Sequence, residues 1–315
     1  MAESFTPAYR KLLETGELAA RARAAWDHLR DCDLCAWHCH VDRTQKIGFC
    51  RTGERAVVSS YFPHLGEEDP LRGWRGSGTI FFSYCNLRCQ YCQNYEISQD
   101  GEGVEVTPEE LAAMMLELQA RGCHNINLVS PSHVVAQILA GVLIAAQAGL
   151  NIPLVYNTGG YDSLEALALL DGVIDIYMPD MKYADPGVAL RHSKIRDYPA
   201  VNRAAVKEMH RQVGDLALDA RGVAQRGLLV RHLVLPDRLA GTAEIMRFLA
   251  EEISPDTYVN VMGQYRPAWR VAERGVAPLN RPVRAGEVAE AERIAREAGL
   301  WRLDERKAGL AFLNW

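Results

Sequence analysis

The sequence predicts an α/β fold built on a parallel sheet. Six apolar runs have the length and composition of strands that are buried on both faces, and helical patterns separate them. In chain order the runs read GTIFFSY, NINLVS, IPLVYNT, VIDIYMPD, GLLVRHLVLP and TYVNVMGQY. This alternation indicates right-handed crossovers, and both a doubly wound sheet and an open, partial barrel satisfy it. Either architecture places functional groups on the loops at the carboxyl ends of the strands.

Helical patterns fill the segments around these runs. Residues 8–30 predict one polar helix with an Ala/Leu stripe, and a cysteine-rich loop follows it. In TPEELAAMMLELQARG, Thr107 is the predicted N-cap, Glu110 completes a capping box and Pro108 takes the first helical position. Gly122 supplies the stop signal. The stretch VVAQILAGVLIAAQAGL indicates a buried helix, because a membrane span needs about 18 or more apolar residues.

The length of 315 residues allows one large domain with small additions. We predict an N-terminal helix with a metal-binding module of four cysteines over residues 1–60. The main α/β domain follows over residues 61–270. A C-terminal helix and a packed tail, RAGEVAEAERIAREAGLWRLDERKAGLAFLNW, complete the chain within residues 271–315.

Composition narrows the class of protein. The net charge of −5 gives no reason to expect a nucleic-acid partner. The first residues have no apolar signal core and no later segment is apolar enough to span a membrane, so we predict a cytoplasmic protein without a membrane partner. Eight cysteines in that compartment indicate metal binding or chemistry rather than disulfides. Cys123 stands apart from the others, and we expect it to be a buried structural thiol.

A loop with three cysteines follows the first of the six apolar runs. Cys85, Cys89 and Cys92 are separated by three and then two residues. Three thiolates can hold three irons of a cubane cluster, and the fourth iron then stays open for a small molecule. The alternative is a zinc site completed by His124 or His133.

The same loop carries a family resemblance. CNLRCQYCQ matches the CxxxCxxC motif. The wider resemblance extends over the segments GSGTIFFSYCNLRCQYCQNYEIS, NINLVSPSH, VYNTGGYDSLEALALLDGVIDIYMPDMKY and RGLLVRHLVLP. Over roughly residues 30–270 the chain resembles radical S-adenosylmethionine (radical SAM) enzymes. Within them it looks like the PflX-like branch, which is related to the pyruvate formate-lyase activating enzymes.

This resemblance implies a fold, cofactors and a reaction. The fold would be a partial (β/α)6 barrel, and the three cysteines would bind a [4Fe-4S] cluster whose open iron chelates S-adenosylmethionine (SAM). A one-electron reductant such as flavodoxin or ferredoxin would drive reductive cleavage of SAM to a 5′-deoxyadenosyl radical. That radical would abstract hydrogen from a substrate, either a glycyl-radical enzyme or another protein or peptide, with a small molecule as an open alternative.

Polar residues at the fourth strand end are candidates for the same site. Asp180 and Lys182 flank the apolar Met181 and therefore share one face of the strand. The resemblance implies that both contact the ribose or methionyl part of SAM. A strand-end salt bridge is the structural alternative.

The second and third strand ends depart from the family pattern. Asn157 and Thr158 stand where activating enzymes have an Asp-Thr pair near a monovalent cation, and the asparagine removes a charge from that site. Ser130 and Ser132 stand where many members have a Gly-Gly-Glu motif that holds the amino group of SAM. The two serines can substitute for that motif or can cap the following helix. The sequence singles out no catalytic residue.

Arg231 lies inside the fifth predicted strand, and a charged residue in a buried strand needs a partner. An anionic group of cofactor or substrate is one candidate. A structural carboxylate is the other.

A second cysteine set precedes the sheet. Cys32, Cys35, Cys39 and Cys50 form C-x2-C-x3-C-x10-C, and Gly48 suits a turn that returns the fourth ligand to the others. Four thiolates can close a structural zinc site or hold an auxiliary iron–sulfur cluster.

Two other classes of function fit parts of this pattern. A non-catalytic iron–sulfur or zinc protein, acting as electron carrier or scaffold, would use the cysteines without cleaving SAM. A methyl or adenosyl transferase would bind SAM and give different products.

Overall fold

The computed structural model describes residues 5–305, and the structural statements below concern that range. The strands are Ala56–His64 (β1), Ser77–Phe82 (β2), Val104–Val106 (β3), Ile126–Val129 (β4), Leu154–Thr158 (β5), Ile176–Pro179 (β6), Ala217–Leu218 (β7), Ala224–Leu233 (β8) and Tyr258–Met262 (β9). The α-helices are Ala8–Thr15 (α1), Glu17–Asp27 (α2), Asp69–Arg72 (α3), Pro108–Ala120 (α4), Val135–Gln147 (α5), Leu164–Leu170 (α6), Pro186–Ser193 (α7), Tyr198–Val213 (α8), Thr242–Phe248 (α9), Trp269–Arg274 (α10) and Ala285–Glu297 (α11). Short 3-10 helices cover His28–Asp31, Pro131–His133 and Pro236–Arg238, and π-helical turns cover Glu96–Asp100 and Leu249–Ile253.

The strands form one sheet in the order β3-β1-β2-β4-β5-β6-β8-β7, and β9 pairs with β8. Strands β2, β4, β5, β6, β8 and β9 are successive parallel neighbours, and they are the six strands predicted from the apolar runs. Their spatial order follows the chain without reversal, so the sheet lacks the switch point of a doubly wound fold. The mixed α/β class with a parallel-rich sheet is confirmed.

This topology brings the carboxyl ends of neighbouring strands together. Val129 of β4 is in register with Asn157 of β5, and Thr158 is in register with Pro179 of β6. Asp180, directly after β6, forms a bridge with Arg231 of β8. The polar residues singled out at four strand ends therefore meet at one edge of the sheet.

The prediction of one N-terminal helix over residues 8–30 is wrong in one respect. It is two helices, α1 and α2, which Gly16 separates with a φ of 79°. Glycine adopts this left-handed conformation without a Cβ penalty, and it ends helices for that reason. The Ala/Leu stripe is present: Leu18, Ala22 and Ala25 are buried, and α2 packs on α5.

Helices α4 and α5 follow their sequence signals. Thr107 and Glu110 form the predicted capping box, and Pro108 occupies the first turn of α4. Gly122, just after this helix, has a φ of 86°. The long apolar stretch forms α5, which packs against α2 and α4. A helix that is apolar nearly all round must be buried on most sides, and α5 satisfies that condition.

The largest hydrophobic cluster joins the N-terminal helices, the sheet and α4, α5 and α8. Cys123 is buried within it, as predicted. At the other end of the chain, Val259 of β9 accepts a backbone hydrogen bond from Asp304 and donates one to Arg302. The helix predicted there is α11. The predicted tail packs on β9 up to residue 305, and its last ten residues lie outside the described range.

Candidate functional site

The loop with three cysteines begins two residues after β2 and lies over the carboxyl edge of the sheet. Cys89 is buried, whereas Cys85 and Cys92 are partly exposed. The N–H of Cys92 donates to the carbonyl oxygen of Cys89 at 3.2 Å, which closes a turn between these two residues. Tyr84, just before Cys85, has a φ of 64°, an uncommon conformation for a bulky residue.

Each cysteine sulfur of this loop has a polar partner at hydrogen-bonding distance. The Leu87 N–H donates to Cys85 Sγ at 3.4 Å, the Ser193 hydroxyl donates to Cys89 Sγ at 3.0 Å, and Ser98 Oγ lies 3.1 Å from Cys92 Sγ. Donors of this kind stabilise thiolates and orient the sulfurs that ligate a metal.

A buried row of hydroxyl groups continues from Cys89. Ser193 Oγ lies 2.8 Å from the hydroxyl oxygen of Tyr183, which in turn lies 2.6 Å from that of Tyr91. Tyr265 packs edge-on against Tyr91. These rings shield Cys89 from water and keep its hydrogen-bond donor in place.

Asp180 and Lys182 form a buried ion pair at the end of β6. The Lys182 ammonium donates to Asp180 Oδ2 at 2.5 Å, and Arg231 Nε donates to Asp180 Oδ1 at 3.0 Å. Burial by itself raises the pKa of Asp180, but the charges of Lys182 and Arg231 outweigh that effect and lower it. Asp180 is therefore a carboxylate with a cation on each oxygen.

Lys182 connects this ion pair to the cysteine loop. Burial raises the pKa of Cys85 to about 12, and it also raises that of Cys89. The Lys182 charge acts in the opposite direction on both thiols, so the ammonium lies within electrostatic reach of both sulfurs. A Cβ on Gly159 would lie 2.5 Å from Leu87 and 3.8 Å from Lys182, which shows how closely the β5 end, the loop and Lys182 pack.

Arg231 has protein partners. Besides Asp180, its guanidinium donates to Asn157 Oδ1 at 2.9 Å and lies 3.9 Å from Glu67. Of the two partners expected for Arg231, an anionic ligand or a structural carboxylate, the structure shows the carboxylate. Asn157 and Asp180, both predicted as cofactor contacts, are linked through this one arginine.

Thr158 and Ser132 belong to a second buried network. Their hydroxyl oxygens lie 2.8 Å apart, and Thr158 donates to Asp162 Oδ2 at 2.7 Å. Tyr156 donates to the other Asp162 oxygen at 3.0 Å. Burial raises the pKa of Asp162, and the three hydroxyl groups lower it again in part.

The alternative role of Ser130 and Ser132 as helix caps is not observed, because neither side chain makes a capping hydrogen bond. Ser130 has a φ of 59°, and its N–H donates to the carbonyl oxygen of Asn157 at 2.9 Å. His133 is buried with its Nε2 3.0 Å from the Ser83 carbonyl oxygen, and burial lowers its pKa to about 3. His124 packs edge-on against Trp74. Each of these two histidines thus has a neighbour outside the cysteine loop.

The four N-terminal cysteines are brought together by the fold. Cys32, Cys35 and Cys50 are buried and Cys39 is half-buried. Burial raises the pKa of Cys35, and its three companions add to that shift because their negative charges would be close. The predicted turn is present: the Arg51 N–H donates to the Gly48 carbonyl oxygen at 2.9 Å. Its left-handed residue is Arg51 rather than the glycine.

Arg43 anchors this module. Its guanidinium is buried, donates to the carbonyl oxygens of Gly53 and His133, and lies 3.7 Å from Cys32 Sγ. Sequence reasoning passed over Arg43 because an arginine in a polar loop normally indicates exposure. Ser98 and Ser193 were missed as well, since no spacing relates them to the cysteines they contact.

Direct hydrogen bonds join the two cysteine sets. Trp37, from the N-terminal module, donates to the carbonyl oxygen of Asn86 at 2.7 Å. Arg88, from the three-cysteine loop, donates to the carbonyl oxygen of Phe49 at 2.7 Å. Asn86 follows Cys85, Arg88 precedes Cys89 and Phe49 precedes Cys50, and Trp37 lies two residues from Cys35 and Cys39, so the contacts are made close to the cysteines.

Within residues 5–305, no group of three or more His, Cys, Asp or Glu side chains is arranged to hold a single metal ion as it stands. A cubane cluster spreads its ligands more widely than one ion does, because each thiolate binds a different iron. Three thiols on one short loop, with polar partners at their sulfurs and a lysine nearby, are a donor set that fits such a cluster.

Comparisons with known proteins agree with this assignment. A family model described as Radical SAM superfamily matches residues 79–231, a segment that contains the three-cysteine loop, Asp180, Lys182 and Arg231. The uncharacterized protein MJ0674 of Methanocaldococcus jannaschii is 30% identical over 291 residues, which cover 90% of this chain and 79% of that protein. The chain belongs to the radical SAM superfamily, and it is therefore an enzyme of a class that uses a [4Fe-4S] cluster and SAM.

The chain is also similar to the crystal structure of HydG, described as a maturase of the [FeFe]-hydrogenase. The TM-score is 0.47 at 15% sequence identity, and the match covers 69% of this chain. It covers 47% of HydG, so this chain spans about half the length of that protein. Separately, no helix among the described residues is both long and apolar enough to cross a membrane.

Proposed function

We propose that Cys85, Cys89 and Cys92 hold the [4Fe-4S] cluster, and that SAM binds at its open iron beside Lys182. One observation carries this proposal: the Lys182 ammonium lies within electrostatic reach of Cys85 and Cys89 while Asp180 holds it at 2.5 Å. The β6 end and the cysteine loop thus form one site. When bound, the cluster and SAM supply one electron and a carbon-centred radical that removes hydrogen from a substrate.

The residues of the chain position and shield these groups in the proposed site. Lys182 stays charged, because Asp180 raises its pKa against the opposing effect of burial, and it is placed to pair with the SAM carboxylate. Asp180 is fixed by Arg231 and can accept hydrogen bonds from ribose hydroxyls. Asn157, Thr158, Ser130 and Ser132 line the neighbouring strand ends and are proposed to support SAM through the two hydrogen-bond networks.

The proposed architecture is a partial (β/α)6 barrel, and three observations of the sheet support it. Strands β2, β4, β5, β6, β8 and β9 form a parallel series in chain order. The outer strands of this series, β2 and β9, do not pair with each other among the described residues, as an open barrel requires. Helices separate the successive strands. The division at residues 60 and 270 remains part of the proposal.

The proposed reaction is hydrogen abstraction from a protein or peptide, with glycyl-radical enzymes as the first candidates. The resemblance of the sequence to the PflX-like branch supports this substrate class. An open barrel leaves a side through which an extended chain can reach the cysteine loop. Flavodoxin or ferredoxin is the proposed electron donor, and the cytoplasm the proposed location.

The N-terminal cysteines are proposed to bind a structural zinc ion, with an auxiliary cluster as the second candidate. The contacts from Trp37 to Asn86 and from Arg88 to Phe49 are the reason to keep the second candidate, because they place the two cysteine sets side by side. Iron, sulfide and zinc analysis of anaerobically prepared protein decides between them. About four irons with one zinc per chain support the structural ion, and about eight irons without zinc support two clusters.

Product analysis tests the reaction. Reconstituted, reduced protein mixed with SAM is expected to release 5′-deoxyadenosine. Cys89→Ala is expected to abolish that release, and Cys123→Ala, which alters a buried cysteine outside the site, is the matched control. Cluster reduction without any SAM cleavage would instead identify an electron carrier, and S-adenosylhomocysteine would identify a methyl transferase.

Isotope transfer then tests the substrate class. A peptide with deuterium at its glycine Cα positions is expected to pass deuterium into 5′-deoxyadenosine. Transfer from a small molecule only would contradict the proposed substrate class and leave the hydrogen abstraction standing.

A further inference from the structure

A cavity of about 200 Å³ opens where the two cysteine sets meet. Its lining comes from separate segments of the chain: Arg51 after the fourth N-terminal cysteine, Arg88 and Gln90 of the three-cysteine loop, Gln99 and Asp100 of the π-helical turn after that loop, Lys194 after α7, and Trp269 and Arg270 at the start of α10. Four cations thus face one carboxylate. Arg88 and Gln90 flank Cys89, so a molecule in this cavity lies beside a proposed cluster ligand.

The four cations of this cavity outnumber its acidic lining, to which Asp100 belongs. The salt bridges found among residues 5–305 are made by other basic residues, Arg231 and Arg281 among them. Arg51, Lys194 and Arg270 are exposed and Arg88 is half-buried, so an anion from solvent can reach all four.

Several cations are already oriented by the protein. Arg51 donates to the Gln99 carbonyl oxygen at 2.7 Å. Arg88 donates to the Gln99 side-chain oxygen at 3.3 Å and packs over the Phe49 ring. Arg270 lies over the Trp269 ring. Oriented guanidinium groups match the geometry of phosphate and carboxylate oxygens.

Backbone strain is concentrated in the same lining. Arg51, Lys194 and Trp269 have φ values of 63°, 65° and 45°, which place three non-glycine residues in the left-handed region. Lys194 is the C-cap of α7, where a left-handed residue is common, whereas Arg51 and Trp269 lie outside such a helix end and are held by the surrounding structure. Trp269 is the strongest case, since a bulky side chain is least tolerant of positive φ.

We propose that Arg51, Arg88, Lys194 and Arg270 form a binding site for clustered anionic oxygens, carried either by a phosphate ester or by an acidic peptide segment. The site anchors the substrate beside the three-cysteine loop. This second statement rests on the proposed function, whereas the binding of an anion does not.

The thiolates are the competing explanation for this charge. Arg88 adjoins Cys89 and Arg51 adjoins Cys50 along the chain. If the cations only balance thiolates, metal-loaded protein will not bind an added anion.

Binding of two probes to the full chain tests the proposal, in metal-free and in anaerobically reconstituted protein. We expect calorimetry to detect pyrophosphate, tetraglutamate or both, with affinity at least tenfold above that for chloride at matched ionic strength. Pyrophosphate as the tighter ligand assigns the site to phosphate esters, and tetraglutamate assigns it to acidic peptides. Failure of both probes to bind reconstituted protein overturns the proposal.

Variants locate the binding. Arg51→Gln and Arg270→Gln, both at exposed positions, are expected to weaken the preferred probe at least tenfold, while Arg293→Gln on α11 leaves it unchanged. Equal affinity in all four proteins overturns the proposal. Circular dichroism checks folding, and phosphorus NMR of pyrophosphate with the wild-type chain gives a readout that needs no variant. Release of 5′-deoxyadenosine is measured separately, so its failure counts only against the proposed function.

Discussion

The hydroxyl of Ser193 donates a hydrogen bond to the sulfur of Cys89 across 3.0 Å, although 104 positions separate the two residues. Ser193 ends α7, and Cys89 lies on the loop after β2. Two further hydrogen bonds hold the same elements together: Gln90 donates from its backbone to His192 and from its side chain to Arg191. The end of α7 therefore fixes the position of the loop and supplies a donor to its most buried sulfur.

Removal of this donor is expected to lower the reduction potential of a cluster bound by the loop. A hydrogen bond to a ligand sulfur stabilises the more negatively charged, reduced state. Ser193→Ala should shift the midpoint potential of reconstituted protein to more negative values by on the order of tens of millivolts, because 59 mV corresponds to a tenfold change for one electron. A redox titration followed by electron paramagnetic resonance measures the shift. Ser163→Ala, which removes a buried hydroxyl that caps α6, is the control, and an identical potential in both variants would contradict the assigned role.

Arg231→Leu is expected to destabilise the protein by about 3–5 kcal/mol, because it leaves Asp180 and Glu67 buried with a cation removed. Urea unfolding measures the change. Arg211→Leu disrupts an exposed ion pair with Asp171 and should cost less than about 1 kcal/mol. A loss below about 1 kcal/mol for Arg231→Leu would refute the structural role. If the fold survives, SAM affinity measured in the same variant tests whether this arginine also supports the cofactor site.

The free energy of unfolding is expected to decrease as the pH falls from 6.5 to 4, because His232 binds a proton more readily in the unfolded chain. Burial lowers the pKa of this histidine to about 4, and its neutral ring lies 2.9 Å from both the Met181 carbonyl oxygen and the Thr242 hydroxyl. Between pH 4 and 6.5 the unfolded chain therefore binds a proton that the folded chain does not. The free energy of unfolding contributed by this group is fully present above pH 6.5. It decreases by up to about 1.4 kcal/mol per pH unit as the pH falls.

The pH dependence is measured by urea unfolding at intervals across this range. His232→Gln should flatten the slope relative to wild type, whereas His40→Gln, at an exposed position, should leave it unchanged. A slope that stays the same in His232→Gln would show that other groups account for it.

Gly160→Ala is expected to destabilise the fold by more than about 2 kcal/mol and to displace Asp180. Gly160 has a φ of 80°, and a Cβ there would lie 2.2 Å from Asn202 Nδ2 and 2.4 Å from the Asp180 carbonyl oxygen. Gly160→Ala combines two costs, the strained backbone and the steric clash of the new Cβ. Gly149 has a φ of 100° with open space around it, so Gly149→Ala shows the backbone cost alone. Thermal unfolding of both variants measures the difference. Equal losses would show that close packing at the β5 turn is not the cause.

The sequence predicted most of the local structure for identifiable reasons. Parallel strands buried on both faces are continuous apolar runs, so all six were readable. The Thr107 capping box is likewise a local pattern. Glycine is itself a signal for a helix end, so the break at Gly16 was visible in the sequence. The helical periodicity on both sides of that glycine nevertheless favoured one long helix.

Contacts between distant segments were predictable only in outline. The strand ends could be expected to share one edge of the sheet, because parallel strands align their carboxyl ends. The sequence did not show whether Arg231 pairs with a ligand or with a carboxylate of the protein, because either anion would satisfy a buried cation. The networks through Thr158 and Arg231 depend on the register between β5, β6 and β8, which no single strand encodes.

The amino-acid sequence by itself determined the α/β class, the two cysteine sets and the motif that indicates radical SAM chemistry, because each depends on residues close together in the chain. Only the tertiary structure decided which groups face those cysteines: the donor from Ser193, the lysine held by Asp180, and the four cations that line the cavity beside Cys89. Charge and hydrogen bonding act through space, and the fold alone sets those distances.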